Sequence, residues 1–317
     1  MVTGMARKLR LEYEGAVYHI INRGNYRAAI FRDDGAKLAF LACLDEACTK
    51  ARWQVHAWCI MSNHYHLALE TPEANLVAGM QWLQGTFATR FNRYRQECGH
   101  LFQGRYKSFV VDPGDALGPL CHYIHLNAVR AGMTTVERLH EWAWSSLRWL
   151  ANPQERASWF RPMACLEHAG GLADTPSGRR KYGEYLAWLS ADTAEQKRLR
   201  FDRMGKGWVL GTREFKQQLV EEHREAATSL ERGEHDLEDA RVAQLEAVFA
   251  GLLAAAGKTG IDVARDPKSA DWKVVIAAEM KRTTTATNQW LARALHMGSP
   301  YTVSRLTNAE NPAERAA

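Results

Sequence analysis

The residues with the clearest capacity for chemistry are two histidines that lie two positions apart in His64–Glu70 (HYHLALE). Alternation along a β-strand places Tyr65 and Leu67 on one face and His64 and His66 on the other. Imidazoles at this spacing are about 7 Å apart at their Cα atoms, close enough to share one cation. A His-x-His pair on a strand is also common at surfaces and in packing, so metal binding requires further ligands.

Tyr123 and Asn127 lie in a helical stretch that runs from Ala116 to about Arg130. Residues four apart project from the same helix face, so the Asn127 amide oxygen is a candidate third ligand. Imidazole and hard oxygen donors suit Mg²⁺ or Mn²⁺, and such an ion polarises a phosphodiester. Tyr123 beside it is a candidate nucleophile once its proton is removed. The alternative is structural: Tyr123 anchors the helix, and Asn127 is a helix-terminal hydrogen bonder.

The local patterns around these residues predict seven elements in the order β-α-β-β-α-β-α. The predicted strands are Ala16–Asn22, Trp53–Ile60, His64–Glu70 and Tyr106–Val111, and the predicted helices are Lys37–Lys50, Glu73–Tyr94 and the stretch from Ala116 to about Arg130. This order predicts an α+β fold with a ferredoxin-like antiparallel sheet, helices packed on one face and a further helix at the end.

The composition predicts a globular protein with a substantial core. The chain has 317 residues, 46% of them hydrophobic, and 41 Lys plus Arg against 36 Asp plus Glu give a net charge of +5. These values exclude disordered and fibrous classes. The longest apolar run, residues 247–256, is far shorter than the roughly 18 residues of a membrane span, and no apolar segment follows the basic start. We therefore expect a cytoplasmic protein with no membrane partner, and the six cysteines, without a C-x-x-C pair, as reduced thiols.

Beyond residue 150 the pattern becomes mainly helical. Residues 151–178 are rich in Pro and Gly and are predicted to be a linker, and residues 179–260 are predicted to form a helical region. The last segment, 271–308, has a three-helix pattern in which Asn288–Met297 and Tyr301–Leu306 flank a Gly-Ser turn. This arrangement is similar to a helix-turn-helix. The expected groove-facing residues are Tyr301, Thr302, Ser304 and Arg305; the alternative is a plain helical hairpin.

Basic and aromatic residues alternate between Thr86 and Phe109, where Glu97 is the one acidic residue. Cations for phosphates and aromatic faces for bases are typical of single-strand binding. The candidate DNA contacts are Arg90, Arg93, Arg105 and Lys107. The alternative is that the phenylalanines belong to the core and the arginines to a solvated face.

Several spaced blocks together resemble a known family. They are Met5-Ala-Arg-Lys-Leu-Arg, GAVYHIINRG (15–24), HAWCIMSNHYH (56–66), GHLFQGRYKS (99–108), YIHLNAVRAG (123–132) and Trp144-Ser145-Ser146. In this order they are similar to the REP-associated tyrosine transposases, relatives of the single-tyrosine HUH insertion-sequence transposases. The resemblance covers about residues 5–150.

The resemblance implies an HUH endonuclease domain in residues 5–150 that acts on single-stranded DNA. His64 and His66 match the two histidines of the HUH motif, Tyr123 matches the nucleophile, and Asn127 matches the third ligand of a divalent metal. Tyrosine attack would give a 5′-phosphotyrosine link and a free 3′-OH at hairpin-forming palindromes. No nucleotide cofactor is implied, and the chain has no Walker-type phosphate loop.

The resemblance also sets the remaining expectations. Ala128 stands where the family often has Pro, next to the Asn127 ligand. Arg23 becomes a candidate DNA contact, and Tyr106 is either a base-stacking residue or a rival nucleophile. The expected partner is hairpin DNA, in a nucleoid-associated monomer or homodimer. The alternatives are a catalytically idle DNA-binding regulator on the same fold and a replication or plasmid-transfer initiator.

Overall fold

The structure, a computed structural model, describes residues 10–224, 245–284 and 286–308. It divides into two compact units, residues 1–231 and 232–317. The boundary differs from the expected one near residue 150, because the chain after that point continues to pack into the first unit. The opening block Met5-Ala-Arg-Lys-Leu lies outside the described residues.

The first unit is built on a mixed five-stranded sheet. Its strands are β1 (Ala16–Arg23), β2 (Gln54–Ile60), β3 (His64–Thr71), β4 (Lys107–Val111) and β5 (Val209–Leu210). Their spatial order is β2-β3-β1-β4-β5, and the first four pair antiparallel. The two-residue strand β5 pairs parallel to β4 and is not among the predicted strands.

Helices cover both faces of this sheet. The first unit contains α1 (Asp34–Ala51), α2 (Leu76–Arg95), α3 (Leu117–His125), α4 (Asn127–Arg130), α5 (Ser146–Ala151), α6 (Met163–His168), α7 (Pro176–Ala191), α8 (Thr193–Arg198) and α9 (Arg213–Glu222). Helices α1 and α2 pack on one face, as expected. Helix α3 packs on the opposite face, where it is joined by α6 and α7.

Strand alternation assigns the side chains of β3 to these two layers. Tyr65, Leu67 and Leu69 belong to the apolar cluster with α1 and α2. His64 and His66 lie on the face of Ala68, which belongs to the cluster around α3. The face assignment predicted from the sequence is therefore confirmed, and it directs both imidazoles towards the α3 layer.

Residues 151–178 differ from the expected linker. They contain α6, and Trp159, Phe160, Cys165 and Leu166 are buried. Backbone bonds tie this segment to the edge of the sheet, since the Val55 amide donates to the Trp159 carbonyl and the Arg161 amide donates to the Val55 carbonyl. The prolines and glycines shape short turns here, while the aromatic side chains complete the core.

The described part of the second unit is all helical. It contains α10 (residues 245–255), α11 (Gly260–Arg265), α12 (Asp271–Thr283), α13 (Asn288–Ala294) and α14 (Pro300–Asn308) around a small apolar cluster of its own. Three helices in residues 271–308 agree with the predicted pattern. Residues 225–244 of the predicted helical region 179–260 lie outside the described residues. Among the described helices, none is both long and apolar enough to cross a membrane.

Two glycines of α2 provide a matched test of packing on the sheet. A Cβ at Gly79 would overlap the indole ring of Trp53, and that ring is fixed because its Nε1–H donates to Asn75 Oδ1 at 2.8 Å. A Cβ at Gly85 meets nothing within 4 Å.

We expect Gly79→Ala to destabilise the first unit by about 1–3 kcal/mol through overpacking. Gly85→Ala should stabilise it by about 0.5–1 kcal/mol, because alanine is the better helix former. Hydrogen exchange of α2 amides in the full chain measures both effects. Equal protection in the two variants would contradict the packing of α2 against Trp53.

Candidate functional site

Two elements, β3 and α3, bring the two histidines and Tyr123 together on the α3 face of the sheet. The rings of His64 and His66 on β3 are 5.0 Å apart between centroids, at an interplanar angle of 74°. The Tyr123 ring on α3 meets His66 edge-on at 5.8 Å. The two histidines and the tyrosine therefore form one contiguous cluster.

A third histidine, His19 of β1, lies beneath this cluster and is fully buried. Its Nε2 lies 3.0 Å from His66 Nδ1, and its Nδ1 lies 2.7 Å from the Met204 carbonyl oxygen. Strand register explains the contact, because His19 pairs with Ala68 and Ile21 with His66, so these side chains share one face. Sequence reasoning did not single out His19; the available signal is a lone imidazole in an otherwise apolar strand.

These contacts determine which ring nitrogens carry protons. A carbonyl oxygen only accepts, so His19 Nδ1–H donates to Met204, and the neutral His19 ring offers Nε2 as an acceptor. His66 must then donate Nδ1–H to His19, which leaves a lone pair on His66 Nε2. The same logic applies to His64, since its Nδ1 lies 2.7 Å from Asn63 Oδ1 while Asn63 Nδ2 donates to the Arg27 carbonyl.

Burial keeps these imidazoles neutral at pH 7. Desolvation lowers the pKa of His19 to about 4, and desolvation together with Arg23 lowers the pKa of His64 to about 4. The pKa of His66 lies well below its ordinary value because of burial, then His19, His64, Arg130 and Arg23. Both His64 and His66 therefore present neutral Nε2 atoms, the form in which histidine binds metals.

Helix α3 holds Tyr123 in place through a buried polar network. His122 Nδ1 and His125 Nδ1 each lie 2.9 Å from the Tyr182 hydroxyl of α7. His125 Nε2 lies 2.9 Å from Ser146 Oγ, which accepts the Trp58 amide of β2 at 2.9 Å. Ser146, from the Trp-Ser-Ser block, thus connects α3 to the sheet. A fully partnered network of this kind restricts α3 to one position.

Tyr123, Asn127 and Arg130 line one side of the helical path through α3 and α4. Their spacing is four and three residues, which keeps them on one face, although the helix is interrupted at Leu126. The Arg130 guanidinium lies 4.6 Å from the Tyr123 ring centroid. A cation in this position orients the ring and favours negative charge that develops on its oxygen.

A second contribution to the cluster comes from residues 199–212, which we call the strap. Phe201 packs edge-on against the Tyr123 ring at 5.5 Å between centroids, and Met204 supplies the carbonyl for His19. Both strap side chains are buried. No local sequence signal connects the strap with Tyr123, because the contact depends on tertiary packing across nearly eighty residues.

The residues fit a divalent cation. His64 and His66 provide neutral Nε2 atoms, and the buried Asn127 side chain has an Nδ2 atom with no hydrogen-bond partner among the described residues. An amide N–H does not bind a cation, so the cation would be held by the Oδ1 atom of the same side chain. Within the described ranges, His, Cys, Asp and Glu side chains form no metal-binding group of three or more, so a three-ligand set here requires the Asn127 oxygen.

Two of the predicted DNA contacts border the cluster directly. Arg23 ends β1 opposite His64, and Lys107 begins β4 opposite Ile21, so both lie on the histidine face of the sheet. Arg105 is exposed in the connection just before β4. These three cations lie at the end of the strands where the histidines are located.

The other predicted contacts of the first unit lie elsewhere. Arg90 and Arg93 are exposed on α2, the layer behind the opposite sheet face, and Arg90 makes an ion pair with Glu46 at 2.6 Å. Tyr106 is only 6% exposed, and the Arg10 guanidinium covers its ring at 3.8 Å. The structure thus places Tyr106 in the α1 and α2 layer, away from the histidines and without a free face for a base.

The four predicted contacts of the second unit lie on α14. Tyr301 is 76% exposed, Arg305 is exposed, and Thr302 and Ser304 are partly buried. The Ser299 hydroxyl accepts the Thr302 amide and so caps the start of α14. A five-residue connection, 295–299, separates α13 from α14. The helix-turn-helix role of this segment stays a prediction.

No curated protein matches the chain. Two solved structures are similar to it: a REP-associated tyrosine transposase bound to a REP hairpin, with 15% identity, TM-score 0.38 and coverage of 50% of this chain and 91% of the other; and a putative transposase from Deinococcus radiodurans R1, with 21% identity, TM-score 0.27 and coverage of 42% and 92%.

A family model described as "Transposase IS200 like" matches residues 12–127. The matched region begins before β1 and ends at Asn127, so it contains both histidines, the tyrosine and the amide. This match covers 116 of the 317 residues, so over residues 12–127 the chain is similar to the IS200-like transposases.

Proposed function

We propose that this protein is a metal-dependent endonuclease and strand transferase that cuts single-stranded DNA beside hairpin-forming palindromic repeats. The observation that carries the proposal is the cluster of His64, His66 and Tyr123, with Arg130 over the tyrosine ring, inside a region of a transposase family. The shared sequence blocks support hairpin DNA as the substrate.

His64, His66 and Asn127 would hold Mg²⁺ or Mn²⁺, which accept imidazole and oxygen donors. When bound, the ion supplies Lewis-acid polarisation of the scissile phosphodiester. The protein prepares the two imidazoles in advance. Burial keeps them neutral, and the Met204–His19 contacts fix the proton of His66 on the nitrogen that faces away from the ligand position.

Tyr123 acts as the nucleophile. Its hydroxyl oxygen forms a bond to phosphorus while the bond between phosphorus and the 3′ oxygen breaks. The phenolic proton is released to solvent, and the departing oxygen takes up a proton to become a 3′-OH. The phosphotyrosine retains a phosphodiester linkage, so a later attack by another 3′-OH rejoins DNA without a nucleotide cofactor. Arg130 stabilises negative charge on the phenol oxygen and on the phosphate during both steps.

The first test is formation of a covalent protein–DNA adduct. Purified protein is incubated with labelled single-stranded hairpin DNA from the neighbouring genome, with Mg²⁺, Mn²⁺ or EDTA, and analysed on a denaturing gel. We expect a metal-dependent adduct with the wild-type chain and none with Tyr123→Phe, because phenylalanine has no nucleophilic oxygen. Binding of the same DNA should be unchanged in Tyr123→Phe.

Tyr106→Phe serves as the matched control, because Tyr106 is buried and lies in the opposite layer. It should form the adduct at the wild-type level. An adduct that persists in Tyr123→Phe and disappears in Tyr106→Phe would reverse the nucleophile assignment. DNA binding without an adduct across all hairpins tested would assign the protein to the regulator class.

The histidine pair has a separate test. His64→Ala removes one proposed ligand at a partly exposed position, and we expect metal-dependent cleavage to fall at least 100-fold while the fold is retained. His140→Ala, at an exposed histidine outside the site, is the control for a general loss of imidazole. Unchanged cleavage by His64→Ala would reject the ligand set.

His19 should affect metal affinity without touching the ion. Removing such a supporting partner of a ligand typically weakens metal binding by about 10–100-fold. We expect that loss for His19→Leu in calorimetric titration with Mn²⁺ without DNA. His19→Gln, whose amide oxygen can accept from His66 Nδ1–H, should recover part of the affinity. Wild-type affinity in His19→Leu would show that the His19 contact does not position His66.

A further inference from the structure

The strap and its flanking helices carry an unusual concentration of positive charge. Residues 197–216 contain seven Lys or Arg and two Asp or Glu, a net charge of +5 that equals the net charge of the whole 317-residue chain. This segment lies outside the region matched by the family model and outside the predicted DNA-contact stretch. Its charge is therefore a feature that the proposed catalytic site does not use.

The strap has a buried apolar side and an exposed cationic side. Leu199, Phe201, Met204 and Leu210 are buried in the layer that contains α3. Arg200, Arg203 and Lys206, which alternate with them, are exposed. The apolar side anchors the strap over Tyr123 and His19, so its cationic side is held at a fixed place beside the catalytic cluster.

The exposed side of the strap lines a cleft of about 710 Å³ next to the first half of α3. Arg198, Arg200, Arg203 and Lys206 contribute cations to this cleft, and Asp115 and Asp202 contribute carboxylates. A smaller cleft that shares the strap adds Lys197, Arg213 and Lys216. The combined surface is positive and opens on the same side of α3 as the strap.

Two of the cations are available to an external anion. Arg198 is paired with Glu195, and Arg200 donates to the Gly211 carbonyl at 2.9 Å. Arg203 and Lys206 are exposed and make no side-chain hydrogen bond or ion pair with any part of the chain that the structure describes. Exposed cationic side chains on a fixed backbone are suited to binding phosphate groups, because neutralising the phosphates releases their counterions.

The aromatic residues of the strap define what kind of contact is made. Phe201 is 5% and Trp208 is 4% exposed, so neither offers a ring face for stacking on a base. Without stacking or base-edge contacts, recognition is limited to the sugar–phosphate backbone and is independent of sequence.

We infer that the strap cleft binds the backbone of single-stranded DNA next to the scissile phosphodiester, with Arg203 and Lys206 as its main phosphate contacts. This inference rests on the proposed function, because it assigns a path to the strand that Tyr123 cuts. Phe201 against Tyr123 and Met204 against His19 connect the cleft to the catalytic cluster. The strap thereby links strand binding to the placement of the nucleophile.

The experiment measures binding of fluorescein-labelled oligothymidylate to the full chain by anisotropy, in EDTA, over a series of salt concentrations. Each phosphate contact to a single strand contributes about −0.7 to the slope of log K against log salt. Arg203→Ala with Lys206→Ala should therefore reduce the slope by about 1.4 relative to wild type. Arg180→Ala with Lys181→Ala removes the same charge from exposed positions near the start of α7 and should leave the slope unchanged.

Equal slopes for wild type and the strap variant, or an equal loss in both double variants, would overturn the inference. Absence of oligothymidylate binding by the wild-type chain would overturn it as well. Adduct formation separates this result from the proposed function: at saturating hairpin DNA, the wild-type chain and the Arg180→Ala, Lys181→Ala control should both form the adduct. If no adduct forms in any variant, the proposed reaction fails, while the salt slopes still decide the role of the cleft.

Discussion

The antiparallel pairing of β1 with β3 is the constraint on which the rest of the proposed catalytic face depends. It sets Ile21 opposite His66 and Arg23 opposite His64. A shift of this register by one residue would send both imidazoles into the apolar layer of α1 and α2 and expose Tyr65 to the α3 side. The buried packing of Tyr65 and Leu67 therefore fixes the positions of His64 and His66 as firmly as any contact the histidines make themselves.

The proposed site separates charge from metal binding. The imidazoles of His19, His64 and His66 are neutral, and the positive charge at the cluster comes from Arg23 and Arg130. Guanidinium groups remain charged at every relevant pH and contact phosphates through several donors. The uncharged nitrogen atoms that would bind a metal cation can then lie beside the permanently charged groups that would bind a phosphodiester, because neither set of groups changes the charge of the other.

Sequence reasoning predicted the elements that have strong local patterns. The order and approximate bounds of the first seven elements follow from strand alternation, helical spacing and turn residues, and the blocks around His64 and Tyr123 carried the resemblance to transposases. The fully buried His19 contact could not be predicted, because it requires the β1–β3 register. Strand β5, with two residues, has no detectable period, and the aromatic residues of 151–178 gave no sign that their proline-rich segment packs into the core.

The strap has a consequence for how the protein is made. Leu199, Phe201, Met204 and Leu210 complete the apolar layer that holds α3, yet they follow Asn127 by some seventy to eighty residues. On a ribosome that adds about 5–20 residues per second, the nascent chain holds its histidines and tyrosine beside an unfinished core for roughly 4–16 s. The face that carries the histidines and Tyr123 is thus completed only after the strap has left the exit tunnel.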